Sequence, residues 1–291
     1  MTDGLSELAR RVDELDAAPE CTSLLFKFVC VMQSITSAAH VRGAPGVSFA
    51  EADELMRRSR LLRRLTNDVP EIVAGPLRLD SQYWIGTEKP YRQDAVELTP
   101  QESAFVRLSE ATTKGPSTKP FGVGLFTSTG NCLSAHGMWR LYLEGSTVAR
   151  HVWTIDINAC PVVREVTAAS DWVDFVLSHP RREGDLLFPD WIAVARHYDA
   201  VHMTLRAIAA VQGLCFPTEH GTVAPTYWDV ESTLWLRWCF GSARLVEIVE
   251  AERVVDAAPA ERAPRLVPKY LPYPTSAWIE AIVAPSDDNP K

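Results

Sequence analysis

Apolar positions in the first 70 residues recur at helical spacing. Leu5, Leu8, Val12 and Leu15 fall close to one helix face. Ser48 and Glu51 form a capping-box signature ahead of FAEADELMRRSRLLRRL, which predicts one helix over 49–65. Past residue 71 the pattern changes to short runs rich in β-branched and aromatic residues. PLRLDSQYWI, FGVGLFTST, HVWTIDI, VVREVT and YDAVHMTLRAI each read as a strand. Two helical patterns interrupt them. SDWVDFVLSHP has Ser170 as its candidate N-cap. PDWIAVARHYD has Pro189 near its start, Asp190 as cap, and Trp191, Val194, Ala195 and Tyr198 on one apolar face. Asp199 is placed at the turn into the next strand.

Strands and helices do not alternate regularly, so a doubly wound parallel sheet is not expected. The order predicts an α+β fold of mainly antiparallel strands: an N-terminal helical region over 1–70, an α+β domain over 71–250, and a proline-rich extension over 251–291. The extension is expected to run as extended segments before a short helix at SAWIEAIVA.

The segment 227–238, YWDVESTLWLRW, reads as one strand with two carboxylates inside it. Alternation puts Trp228, Val230 and Leu234 on a core face and Asp229, Glu231 and Arg237 on the other. The two acids would then lie about 6–7 Å apart on one side. Two readings follow. The acids face solvent with Arg237 as counter-charge, or they line a site, since burying ionised carboxylates without partners is costly.

Composition narrows the functional classes. The chain has 291 residues, is 46% apolar and 23% charged, and carries a formal charge of -8. An acidic chain of this kind is not built as a general nucleic-acid or membrane-surface binder. Its six cysteines form no C-x-x-C pair, and its histidines show no ligand spacing, so no metal site is expected. The N-terminal residues lack a signal peptide's apolar core, and SLLFKFVCVM is too short to span a bilayer. A cytoplasmic location with reduced thiols and no membrane partner is the simplest expectation. The arginines between Arg57 and Arg64 close a helix. They read either as solvated, dipole-complementing side chains or as a contact patch for phosphate, RNA or a partner. Gly122-x-Gly124 lacks the third glycine of a dinucleotide fingerprint and reads as strand glycines.

The stretches KPFGVGLFTS (119–128), DWIAVARHYDAV (190–201) and WDVESTLW (228–235) occur in an order that resembles the ADP-ribosyltransferase-like superfamily. The resemblance covers about residues 76–240. It implies two small sheets forming a cleft that binds NAD as substrate, with no metal. Thr127, Ser128 and Thr129 match the hydroxyl-bearing segment that shapes the nicotinamide pocket. Asp229-x-Glu231 looks like the acidic pair on a late strand, with Asp where many members have Glu or Gln. Arg78 is the best match to the basic first-strand residue, which would hold the pyrophosphate. Tyr83, Trp84 or Trp139 could stack on rings or pack in the core. His202 could line the cleft or serve as a satisfied structural histidine.

The activity so implied is cleavage of the nicotinamide–ribose bond and transfer of ADP-ribose, a glycosyltransferase reaction. A carboxylate held beside the ribose stabilises the oxocarbenium-like transition state. Glu231 would be that acid, and Asp229 would orient or deprotonate an acceptor. The acceptor is unknown: protein, nucleic acid or small molecule. Two rivals stay open. One is a glycohydrolase acting on NAD or another nucleotide, and the other is an inactive nucleotide- or partner-binding module.

Overall fold

The computed structural model describes residues 4–17, 24–42, 44–87, 125–139, 149–157, 160–237 and 239–250, without the side chains of 36–42 and 86–87. All of them belong to one compact unit spanning Met1–Glu252. Gly122, Gly124, the KPFG stretch and the proline-rich extension lie outside the described residues.

The N-terminal periodicity becomes helices α1 (Gly4–Asp16), α2 (Leu24–Arg42), α3 (Phe49–Arg58), α4 (Arg60–Asp68) and α5 (Pro70–Ala74). The single helix expected over 49–65 is two helices. The chain breaks at Ser59, whose ψ of 125° is not helical and whose side chain accepts from Leu62 N at the start of α4. The capping box does not form either. Ser48 sits at the N-cap of α3 but makes no side-chain cap hydrogen bond.

Strands β1 (Gln82–Thr87), β2 (Leu125–Thr129), β3 (Arg150–Ile157) and β4 (Val163–Val166) lead into helix α6 (Ala169–Ser178). Next come the hairpin β5 (Pro180–Glu183) and β6 (Leu186–Pro189), helix α7 (Trp191–His197), strand β7 (Ala200–Met203) and helix α8 (Leu205–Val211). Strands β8 (Phe216–Thr218), β9 (Gly221–Val223), β10 (Ser232–Trp235) and β11 (Phe240–Val249) complete the described chain.

Seven of these strands form one sheet in the order β11-β3-β1-β2-β10-β7-β4, and four form another, β5-β6-β9-β8. In the large sheet only β4 and β7 pair in parallel. The mixed, antiparallel-rich architecture expected from the sequence is the one observed. The β1–β2 ladder is short: it runs for two residue pairs, Gln82 with Thr129 and Tyr83 with Ser128. The large sheet is therefore two ladders joined at a narrow seam.

Several expected strands are shorter than the apolar runs that announced them. PLRLDSQYWI is extended sheet only from Gln82 onward. YDAVHMTLRAI pairs only over Ala200–Met203, after which Thr204 caps α8 by accepting from Ala207 N. That helix is largely internal, with Leu205, Ala207, Ile208, Ala209, Ala210 and Val211 buried and the half-buried Arg206 donating to Thr66 Oγ1. Within 228–237 the pleat exists only over Ser232–Trp235, so Asp229 and Glu231 precede the strand and alternation does not govern them.

The sheet packs a core of Leu125, Trp153, Ile155, Ala200, Trp235, Cys239 and Phe240, with Trp84 and Leu77 against it. A helical layer covers the rest. Trp172, Phe175 and Val176 of α6 are buried, and α3 packs on α6 and on α8. Helix α7 begins as expected: Asp190 accepts from Ile192 N and Ala193 N, and Trp191, Val194 and Ala195 are buried.

Candidate functional site

The centre of the large sheet carries a buried polar cluster, and Glu231 is its hub. The β10–β2 register pairs Thr233 with Thr127, and continuing it brings Glu231 opposite Thr129. One carboxylate oxygen of Glu231 accepts from Ser128 Oγ at 3.2 Å and Thr129 N at 3.0 Å. The other accepts from Thr129 Oγ1 at 2.8 Å and faces His202 Nε2 at 3.1 Å. A carboxylate has about four acceptor sites, and these four partners fill them. The side chains of Glu231 and His202 are both fully buried.

His202 reaches Glu231 from β7, the strand beside β10. Its other ring nitrogen, Nδ1, lies 2.6 Å from Glu165 Oε2. Glu165 is its register partner on the parallel strand β4. Glu165 is fixed in turn by Leu77 N, which donates to its Oε1 at 2.8 Å. Gly75 permits that approach. It has φ 75°, and a Cβ there would stand 3.2 Å from Glu165 Oε2. Glu165 is the outer end of the chain, with a side chain 30% exposed.

Burial alone would drive His202 toward the neutral form, but its hydrogen bonds to Glu165 and Glu231 outweigh that and raise its pKa to about 9. Burial pushes Glu165 up, and its bonds to His202 and to Leu77 N prevail to hold its carboxyl below the usual range.

The hydroxyl segment is tied down by β1. Gln82 Nε2 donates to Thr129 Oγ1 at 2.9 Å and to Arg78 O at 2.8 Å. Its Oε1 accepts from Thr127 Oγ1 at 2.5 Å. Trp235 Nε1 donates to the same Thr127 Oγ1 at 2.8 Å. The turn after β2 folds back over Ser128. Met138 N donates to Ser128 Oγ at 2.7 Å, and Gly137, at φ 80°, lies so close that a Cβ would collide with that hydroxyl.

The structure thus brings together Glu231, Thr127, Ser128, Thr129 and His202 among the residues singled out from the sequence. It leaves out two. Asp229 is buried, but it accepts from Gln212 Nε2 at the end of α8 rather than sharing the partners of Glu231. Arg78 precedes β1, is exposed, and pairs with Asp80 at 2.9 Å. The first-strand residue that enters the cluster is Gln82. The solvent-facing reading of the two acids is overturned by their burial. Arg237 is no counter-charge to them: it donates to Ala195 O and sits 3.5 Å from Asp199.

Gln82 and Gln212 carried an available signal, since each is a polar residue inside or beside an apolar run, whereas Glu165 is placed by the parallel β4–β7 register. Of the aromatic candidates, Tyr83 packs on the His136 ring at 5.3 Å, Trp84 packs on the core, and Trp139 is half-buried. Arg57 and Arg58 pair with Glu54, and Arg60 with Asp16. A surface pocket of about 300 Å³ lined by Leu5, Ala50, Glu54, Leu55 and Arg58 lies apart from the cluster.

Among the described residues no group of His, Cys, Asp or Glu is placed to hold a metal ion. No described helix is long and apolar enough to cross a membrane. No protein-family model, no curated protein and no solved structure matches the chain.

Proposed function

We propose that the chain is an NAD-consuming enzyme of ADP-ribosyltransferase-like type, with Glu231 as the acid that faces the ribose. The observation that carries this reading is the junction of Glu231 with Ser128 and Thr129 across the β10–β2 ladder. An acid at the entry to a late strand and a hydroxyl-bearing second strand, read from separate parts of the sequence, meet at hydrogen-bond distance. The short β1–β2 ladder supports the reading further, because a seam between two ladders is where a two-sheet cleft would lie.

In this reading the ionised Glu231 stabilises positive charge as the nicotinamide–ribose bond breaks. Ser128 Oγ, at 3.2 Å the most distant of its four partners, is the donor that a ribose hydroxyl replaces. Access requires the Gly130–Met138 turn to swing off Ser128. Thr127 and Thr129 shape the pocket through Gln82. Asp229 acts at a distance from the sugar, through Gln212 and α8. ADP-ribose passes to an acceptor, or to water in the glycohydrolase variant of the same chemistry. The location is cytoplasmic.

The test is nicotinamide release from NAD by the full chain and by Glu231→Gln, with a thermal melt to confirm folding. Release by the wild type that falls roughly a hundredfold or more in the variant supports the assignment. Equal release by both, or none by either, overturns it. Labelled macromolecule separates transfer from hydrolysis, which leaves free ADP-ribose alone.

One observation favours a second reading. All four acceptor sites of Glu231 are occupied within the protein, and Asp229 is likewise held internally. Such saturation suits a module that binds a nucleotide or a partner without turnover. NAD binding measured by calorimetry, with no nicotinamide released, would select it.

A further inference from the structure

Glu165 was not among the residues the sequence singled out, and it occupies a distinct position. It is a partly exposed carboxylate on β4 that leads through one imidazole to a wholly buried one. Both nitrogens of His202 face carboxylate oxygens, at 2.6 Å and 3.1 Å. A neutral imidazole has one donor and one acceptor. Its acceptor nitrogen would then oppose a carboxylate lone pair, which is repulsive, unless that carboxyl carried the proton. Three sites of Glu231 receive donors and the fourth faces the ring. Glu165 likewise accepts from Leu77 N with its second oxygen. A proton on either carboxyl would make the same contacts, but imidazole is the stronger base by about two pH units, so the ring keeps it and the arrangement is carboxylate, imidazolium, carboxylate.

We propose that Glu165 and His202 are positioning residues for Glu231: Glu165 fixes the ring, both ring nitrogens donate, and the imidazolium pairs with Glu231 and keeps it aimed at Ser128 and Thr129. The inference rests on the NAD reading for its purpose but not for its chemistry. The charges acting on the ring are Glu165 from β4 and Glu231 from the entry to β10. The backbone is shaped for the pair: Gly75 lacks the Cβ that would crowd Glu165, and Leu77 supplies its amide.

The experiment uses the full chain labelled with ¹⁵N-histidine, read by the ring nitrogen shifts of His202 against pH, alongside the pH profile of nicotinamide release. Wild type and Glu165→Gln are compared. Glu165→Asp is the conservative partner should the amide variant fail to fold. The wild type is expected to show two protonated ring nitrogens at pH 7. Glu165→Gln is expected to lower the titration midpoint of His202 by at least one pH unit and to move the alkaline limb of release by the same amount, chiefly in kcat. Glu165→Asp should recover part of both shifts. A neutral ring in the wild type at pH 7, or a midpoint unmoved by Glu165→Gln, overturns the proposal. A wild type that releases no nicotinamide but keeps the doubly protonated ring overturns the NAD reading and upholds the clamp. Turnover with a neutral ring does the reverse.

Discussion

At the scale of single residues, the two carboxylates of the WDVE segment have separate fates, and the sequence could not separate them. Alternation places them on one side only if the backbone is pleated. It is not pleated before Ser232, so the partners decide: Ser128, Thr129 and His202 for Glu231, and Gln212 for Asp229. Glu231 and the hydroxyl segment were legible as chemistry because an acid in an apolar run needs donors. Glu165 was not, because its value comes from a parallel register that no local pattern encodes.

The clamp has a pH signature whose sign is fixed by the shifts. His202 binds its proton more tightly in the folded chain, with a pKa raised from 6.5 to about 9, so its stabilisation is whole below 6.5 and is lost as pH rises toward 9. Glu165 is shifted down, so its contribution is present above 4.5 and lost as pH falls through its lowered value. Urea midpoints measured across pH should therefore be highest between about 4.5 and 6.5 as far as this cluster is concerned, and should fall on the alkaline side. In His202→Leu the alkaline fall should disappear. That variant should also lose about 3–5 kcal/mol at pH 7, the cost of leaving buried charge without its partner.

At the scale of elements, helix positions were legible and helix starts were not. The exception is instructive. Asp190 caps α7 from the adjacent position, and its sequence signal was sound. Thr204 caps α8 and Ser59 caps α4 locally as well, but two helix starts are also closed from far along the chain. Asp16 of α1 accepts from Ser59 Oγ, Arg60 N and Leu61 N, closing the start of α4. Asp53 of α3 accepts from Ala169 N at 2.6 Å and Ser170 N at 3.1 Å, capping α6 where Ser170 was the expected cap. A tertiary cap satisfies the same orphan amides as a local one, so Asp53 removes any need for Ser170 to do so, while Ser48 simply makes no side-chain cap hydrogen bond.

The consequence is an ordering of mutational costs. Asp53→Ala and Asp16→Ala should each lose about 1–2 kcal/mol, whereas Ser48→Ala and Ser170→Ala should fall within about 0.5 kcal/mol of wild type, read from urea midpoints. The turn after β2 provides a second test at this scale. Gly137→Ala forces a positive φ on a residue with a Cβ and drives that atom into Ser128 Oγ. It should lose at least about 1–3 kcal/mol and weaken protection of the Met138 amide against hydrogen exchange, because the bond from Met138 N to Ser128 goes with it.

At the scale of the whole molecule, contacts of long sequence separation join the first 70 residues to the α+β part. One of them is made by a single buried arginine. Arg11 of α1 is fully buried, and it donates to Ala209 O at 2.7 Å and Gln212 O at 2.8 Å at the C-terminal end of α8. Burial lowers its pKa to about 10, so it remains a cation at neutral pH. Helix carbonyls at that end carry partial negative charge and lack intrahelical donors, so a cation suits them. Periodicity could place Arg11 on α1 but could not show where it docks.

The same Gln212 that offers its carbonyl to Arg11 offers its side chain to Asp229. Helix α1 is thereby connected to the acid beside the cluster through one residue. Arg11→Met keeps the volume but strands two buried carbonyls, which should cost about 2–4 kcal/mol. Arg11→Lys should recover only part of that, because one ammonium does not match the fork that spans both carbonyls. Hydrogen exchange localises the effect. If Arg11 pins α8, the amides of α8 and of the Gln212–Asp229 link should lose protection in Arg11→Met while those of β3, on the far ladder, keep theirs. Uniform loss across both ladders would instead mean that Arg11 contributes only to global stability and that α1 exerts no selective hold on the site.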